Sequence, residues 1–82
     1  ETMTVTLTNG QEYPFNNSKK TVSLSTQRNH LNYTVTAEVQ EEKDGFAGDI
    51  IVSEKLLNGF KVEHTGSAKT VTLKIYVKGG FY

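Results

Sequence analysis

The 82-residue sequence has no cysteine, no tryptophan, a single proline and no excess charge, its nine basic residues balancing nine acidic ones. Each lack narrows the field. Without cysteine no disulfide staples the chain, and two histidines alone make a poor structural zinc site. A chain this small buries only about 60–65% of the surface that its unfolded form exposes. Its stability must come from a well-ordered antiparallel sheet, or from association with copies of itself or neighbouring domains. A neutral chain with a pI near 7.0 has no net field to gather a polyanion, which argues against nucleic acid as a partner. No run is long or apolar enough to insert in a membrane, and no signal-peptide pattern opens the chain. The scarcity of proline and of acidic runs argues against a disordered tail. The absence of cysteine leaves the compartment open. The chain opens at Glu1 rather than at a methionine, and reads as a piece excised from a larger protein.

What is present is a period of two. Thr2 to Thr8 alternates strictly, with Met3, Val5 and Leu7 on one face and threonines on the other. That is the pattern of a half-buried strand, and β-branched threonine favours the extended backbone as well. Asn9-Gly10 is a strong hairpin signal. It predicts that Gln11 to Phe15 returns as a second, short edge strand, since Pro14 cannot donate a ladder bond. Residues 1–15 then read as a hairpin extension that is semi-independent of the rest.

Further strands are expected over Thr21–Ser25, Tyr33–Gln40, Asp49–Leu57, Phe60–His64 and Thr70–Lys78. Their inward residues are Val22 and Leu24; Tyr33, Val35, Ala37 and Val39; Phe60 and Val62; and Val71, Leu73, Ile75 and Val77. Thr26 to Asn32 is a polar connection, Asn58-Gly59 a turn, and Thr65 to Lys69 a hairpin loop. No window combines helical periodicity with a cap. Short strands at regular spacing predict one all-β domain over residues 1–82, a small antiparallel β-sandwich of about six to seven strands.

No arrangement for catalysis stands out. Serines and histidines are present, but no nucleophile elbow or other catalytic motif surrounds them. His30 and His64 each read as a solvated or edge histidine. A metal held by both with Asp49 or Glu63 is the lesser alternative. Glu41, Glu42 and Asp44 read as a solvated turn beside Lys43, and their spacing matches no standard calcium loop. Gly79-Gly80 reads as flexible backbone. The sequence therefore predicts a protein that is not an enzyme and needs no metal or other cofactor.

Binding has better candidates. Tyr76 shares its parity with Thr70, Thr72, Lys74 and Lys78, away from the core face. A tyrosine on such a face suits an interface or a sugar ring, and the plainer reading is a cross-strand pair with a threonine or lysine stem. Tyr13, Phe46, Phe81 and Tyr82 are further candidates, with Phe15 beside them. Phe46 is either a loop-tip contact or a ring folded back on the core. Phe81 and Tyr82 either cap one end of the domain or touch another subunit. Asn16-Asn17-Ser18 and Asn32-Tyr33-Thr34 are glycosylation sequons, meaningful only in a eukaryotic secretory route.

From Ser53 to Gly80 the chain has an Asn58-Gly59-Phe60 strand start, a Thr65-Gly66-Ser67-Ala68 turn, and a strand ending in Gly79-Gly80. This stretch resembles the end of small β-sandwich domains in bacteriophage tail proteins. With Val22 to Val39 ahead of it, the order is similar to that of H-type lectin-like domains, which often assemble as trimers. The resemblance covers roughly the last sixty residues and leaves the first hairpin unmatched. It implies a structural or binding module of a virion tail or tail tip that assists assembly or host attachment. Its partners would be other virion proteins, copies of itself as a homotrimer, or host cell-surface carbohydrate. An immunoglobulin-like or adhesin-type domain on a bacterial cell surface is the alternative. No sugar-contact motif can be matched residue by residue, so the resemblance assigns no site residues.

Overall fold

Alternating polar and apolar side chains put six segments into extended conformation. The computed structural model describes residues 1–81 and contains β1 (Thr2–Thr8), β2 (Lys20–Ser23), β3 (Thr34–Lys43), β4 (Ile50–Leu56), β5 (Gly59–His64) and β6 (Thr70–Lys78). No helix occurs among the described residues. The strands form two three-stranded antiparallel sheets, ordered β1-β6-β3 and β2-β5-β4. Period two decides the burial. Val71, Leu73, Ile75 and Val77 of β6 are buried with Val5 and Leu7 of β1. They belong to one hydrophobic cluster with Val22, Phe60 and Val62 of the other sheet.

The turn signals predict the connections less well than the periodicity predicts the strands. Asn9-Gly10 does not close a hairpin. β1 pairs along its whole length with β6, from Thr2 opposite Tyr76 to Thr8 opposite Thr70. Asn9 is buried instead. Its Oδ1 accepts from the N–H groups of Gln11 (3.0 Å) and Asn17 (3.2 Å), and its own N–H donates to the Lys69 carbonyl (2.9 Å). A side chain that satisfies the backbone in this way shapes a wide loop rather than a tight turn. Gln11 to Phe15 is therefore loop, with a cis Tyr13–Pro14 bond, and β1 belongs to the main sheet rather than to an extension.

Thr65 to Lys69 is not a hairpin either, because β5 and β6 lie in different sheets. The segment runs alongside the β3–β4 connection and is laced to it by backbone bonds. Thr65 N–H donates to Asp49 (3.1 Å), Gly66 to Ala47 (2.9 Å), Ala68 to Phe46 (3.0 Å) and Lys69 to Lys43 (3.0 Å). A Cβ on Gly66 would collide with the Phe46 carbonyl oxygen, so the close approach of the two crossings requires glycine there. The true hairpin joins β4 to β5 through Leu57-Asn58, where Asn58-Gly59 signals a turn.

β3 carries a bulge between Val39 and Glu41, and β4 one between Ser53 and Leu56. β3 is also an edge strand, covered on one side only. Val35 and Ala37 are therefore half-buried, and Val39, expected inside, is 43% exposed.

Candidate functional site

The predicted site residues fall in three places. Tyr76 lies at mid-sheet on the outer face of β1-β6-β3, with Thr2 opposite it on β1 and Thr36 opposite it on β3. The rows beside it are Thr4–Lys74–Glu38 and Thr6–Thr72–Glu41. Strand alternation thus gathers threonines from all three strands on one side, because the alternating apolar positions of β1 and β6 face the core. Thr34, Thr36, Tyr76 and Lys78 line a cleft of about 240 Å³. The Lys74 ammonium lies 5.6 Å from the Tyr76 ring centroid, within cation–π range. Ring, hydroxyls and ammonium together offer an apolar platform bordered by hydrogen-bonding groups.

Tyr13 and Phe46 meet at one end of the molecule, with ring centroids 5.4 Å apart and planes at 60°. Both stay exposed, at 59% and 49%. Phe46 is thus a loop-tip aromatic rather than a core plug. Its loop is pinned by the Glu42 carboxylate, which accepts from the Ala47 N–H at 2.6 Å, and by Ser67 Oγ, which accepts from the Phe46 N–H at 3.3 Å. Of the carboxylates at 41–44, expected in a solvated turn, Glu41 and Glu42 lie in β3; Glu42 serves the loop's backbone and Glu41 pairs with Lys43 at 3.5 Å.

Phe81 sits elsewhere. Its ring lies over the Arg28 guanidinium, 4.4 Å from Cζ, and its carbonyl accepts from Asn29 Nδ2 at 3.0 Å. Tyr82 lies outside the described residues. Among the described residues, Tyr13 and Phe46 are the candidates that are brought together.

Arg28, Gly79, Gly80 and His64 carry more than their sequence context suggests. Arg28, set in a polar connection, is 2% exposed. Its Nη1 donates to Glu1 Oε1 (3.1 Å) and to the Thr26 carbonyl (2.7 Å). The Glu1 carboxylate also accepts from the Ser25 N–H (3.0 Å) and Oγ–H (2.9 Å). The backbone bond from Ser25 holds the Glu1 carboxyl below its ordinary value, against an opposing push from burial and with further help from the Ser25 hydroxyl and Arg28. Gly79 and Gly80 adopt φ of 84° and 85°, and the Gly80 carbonyl accepts from the N–H groups of Asn29 (2.6 Å) and His30 (3.0 Å). They form a fixed turn rather than loose backbone.

His64, expected at a solvated edge, is 1% exposed. Its Nδ1 lies 3.1 Å from the Ala47 carbonyl, which fixes Nδ1 as the protonated nitrogen. Asn16 Nδ2 lies 3.4 Å from the same nitrogen and donates to the Gly66 carbonyl at 3.0 Å. Ser18 Oγ donates to the His64 carbonyl (3.1 Å) and accepts from the His64 N–H (3.0 Å). The first sequon is thus occupied by structural bonds. Parity with Phe60 and Val62 is the signal that points His64 inward. No group of three or more histidine and carboxylate residues is placed to hold a metal ion among the described residues.

A second cleft, of about 350 Å³, lies over Gly59 and is bordered by Thr21, Ser23, Glu54, Leu56 and Lys61. Glu54 stands at the β4 bulge with φ 50°, and such outliers concentrate at functional positions. Its carboxylate lies 3.3 Å from Lys19 Nζ and 3.4 Å from Lys61 Nζ. The hydrogen bonds from Lys19 and then Lys61 lower its pKa. Nothing in the sequence pattern marks this cleft, because a bulge shifts register without changing composition. Compared with known proteins, the chain matches no family model, no curated protein and no solved structure.

Proposed function

We propose that this chain is a non-enzymatic binding and structural module, a β-sandwich whose two sheets pack face to face, from the tail or tail tip of a phage virion. It attaches the particle to host cell-surface carbohydrate, and contacts other virion proteins or further copies of itself. The observation that carries the binding half is the Tyr76 ring, set among threonine hydroxyls on an exposed sheet face beside a cleft. A sugar ring presents an apolar face and a rim of hydroxyls, and this surface supplies the counterpart of each. The sandwich is supported by the single hydrophobic cluster drawn from both sheets. The virion assignment rests on the resemblance of residues 53–80 to phage tail domains.

The test is binding of the purified domain to a panel of bacterial surface oligosaccharides, with Tyr76→Ala as control. Affinity in the millimolar range or better, lost in the variant while its thermal midpoint holds, is the expected result. Equal binding by both proteins would remove the outer face from consideration. An adhesin-type domain of a bacterial surface protein is the second reading, favoured by the same face. A parent gene among virion structural genes supports the first reading, and one with a secretion signal and wall anchor the second.

A further inference from the structure

Four strands have an open side, and three of them carry features that keep an edge from pairing. β2 is only four residues long and begins at Lys20. β3 is bulged and carries Glu38, Glu41, Glu42 and Lys43. β4 is bulged where Glu54 takes a positive φ. β1 has no charged residue, proline or glycine between Thr2 and Thr8, and its register with β6 is unbroken over seven residues.

The groups on its open side can be named. Val77 N–H donates to the Glu1 carbonyl at 2.7 Å, and Asn9 N–H to the Lys69 carbonyl at 2.9 Å. Antiparallel ladders alternate, so Met3, Val5 and Leu7 also bond toward β6. The N–H and C=O groups of Thr2, Thr4, Thr6 and Thr8 therefore face outward. Lys20 Nζ donates to the Thr6 carbonyl at 3.2 Å, in keeping with that direction.

We infer that this edge pairs with the same edge of a second copy, antiparallel about a twofold axis at Val5, to make a continuous six-stranded sheet. A twofold contact must be self-complementary, and the sequence Thr-Met-Thr-Val-Thr-Leu-Thr is chemically symmetric about its centre. In this register Thr2 stands opposite Thr8 and Thr4 opposite Thr6, the pairs whose backbone groups are free to exchange ladder bonds. Met3 stands opposite Leu7, and Val5 opposite itself. Threonine meets threonine and apolar meets apolar, with no charge at any paired position. Self-pairing of β3 would instead crowd its three glutamates into one ladder. A second copy is therefore the partner that this edge fits.

Strand pairing alone covers less than the roughly 1,200 Å² of a standard interface, so the dimer is a weak one. Lys20 opposes it by occupying one carbonyl. The inference does not depend on what the outer face binds.

The test is sedimentation equilibrium from about 10 µM to 1 mM, the range in which weak pairs form. The mass is expected to rise from 9.1 kDa toward twice that value. Lys20→Ala should move the rise to about two- to tenfold lower concentration by freeing the Thr6 carbonyl. Thr4→Pro removes an outward N–H without touching the β6 ladder, and should hold the protein monomeric. Thr6→Lys does the same by charge, leaving the backbone intact in case the proline variant fails to fold. A mass constant with concentration in both the parent protein and Lys20→Ala overturns the inference. So does an association that survives Thr4→Pro and Thr6→Lys, which would belong to another surface.

Discussion

Replacing Leu73 by alanine strikes the centre of the core. Leu73 is fully buried on the central strand of its sheet, opposite Val5 on β1 and Val39 on β3. The lost burial accounts for about 2 kcal/mol. The cavity adds more, because a strand hydrogen-bonded on both sides has little freedom to collapse, so the loss should be about 3–5 kcal/mol. A domain of this size holds roughly 4–12 kcal/mol of stability, so the variant should sit near or below the folding threshold. At about 4–8 °C per kcal/mol, its thermal midpoint should fall by at least about 12 °C. Thr72→Ala, one residue away on the outer face, should change stability by no more than about 0.5–1 kcal/mol. Urea unfolding followed by circular dichroism, on both variants at one protein concentration, gives the comparison. Equal losses at the two positions would refute the division into a core face and an open face.

Other outcomes follow from single contacts. The Tyr33 hydroxyl is shared between the carbonyls of Leu56 (2.6 Å) and Gly59 (2.9 Å). Tyr33→Phe should therefore cost about 1–3 kcal/mol in urea unfolding, since two carbonyls lose their donor and little apolar area changes. Burial also raises the Tyr33 pKa above 10.0. The unfolded chain ionises first, so stability should decline above about pH 10 in the parent protein and more weakly in Tyr33→Phe. Gly66→Ala should destabilise by about 2 kcal/mol or more, because the laced crossings must separate to admit a methyl group. The Glu1 pKa is lowered from 4.5, so its contribution is full above that value and lost as pH falls through the folded value. Glu1→Gln should flatten the acid limb of the stability profile below about pH 4.5 and leave Arg28 with a weaker partner.

Much of the strand content was legible because period two is a local property. Thr70–Lys78 has the bounds its alternation predicts, and its four inward residues are all buried. Pairing was not legible, because it joins residues far apart in sequence. Asn9-Gly10 has the composition of a tight turn, yet a distant strand captures β1 and the asparagine side chain organises a loop. The burial of His64, expected at a solvated edge, and that of Arg28 were not legible for a related reason. A polar residue is expected outside unless its partners are known, and Glu1 for Arg28 and Ala47 for His64 lie 27 and 17 residues away in the sequence. Of the site, the outward position of Tyr76 followed from parity alone. The meeting of Tyr13 with Phe46, and the cleft at the β4 bulge, required the fold.

The order of the first sheet bears on how the chain is made. Its central strand, β6, comes last in the chain, while β1 and β3 pair only with β6. As the chain leaves the ribosome, β4 and β5 can close their hairpin early, but β1 waits for some sixty residues to be added before its partner exists. The whole first sheet then assembles in one late step across long loops, a topology that folds in milliseconds to seconds rather than microseconds. Until that step the uncharged β1 is an unpaired strand, free to find another nascent chain. Once β6 has arrived, Lys20 lies against the side of β1 that stays open and takes up its Thr6 carbonyl, so one charge covers part of the edge that the late pairing leaves bare.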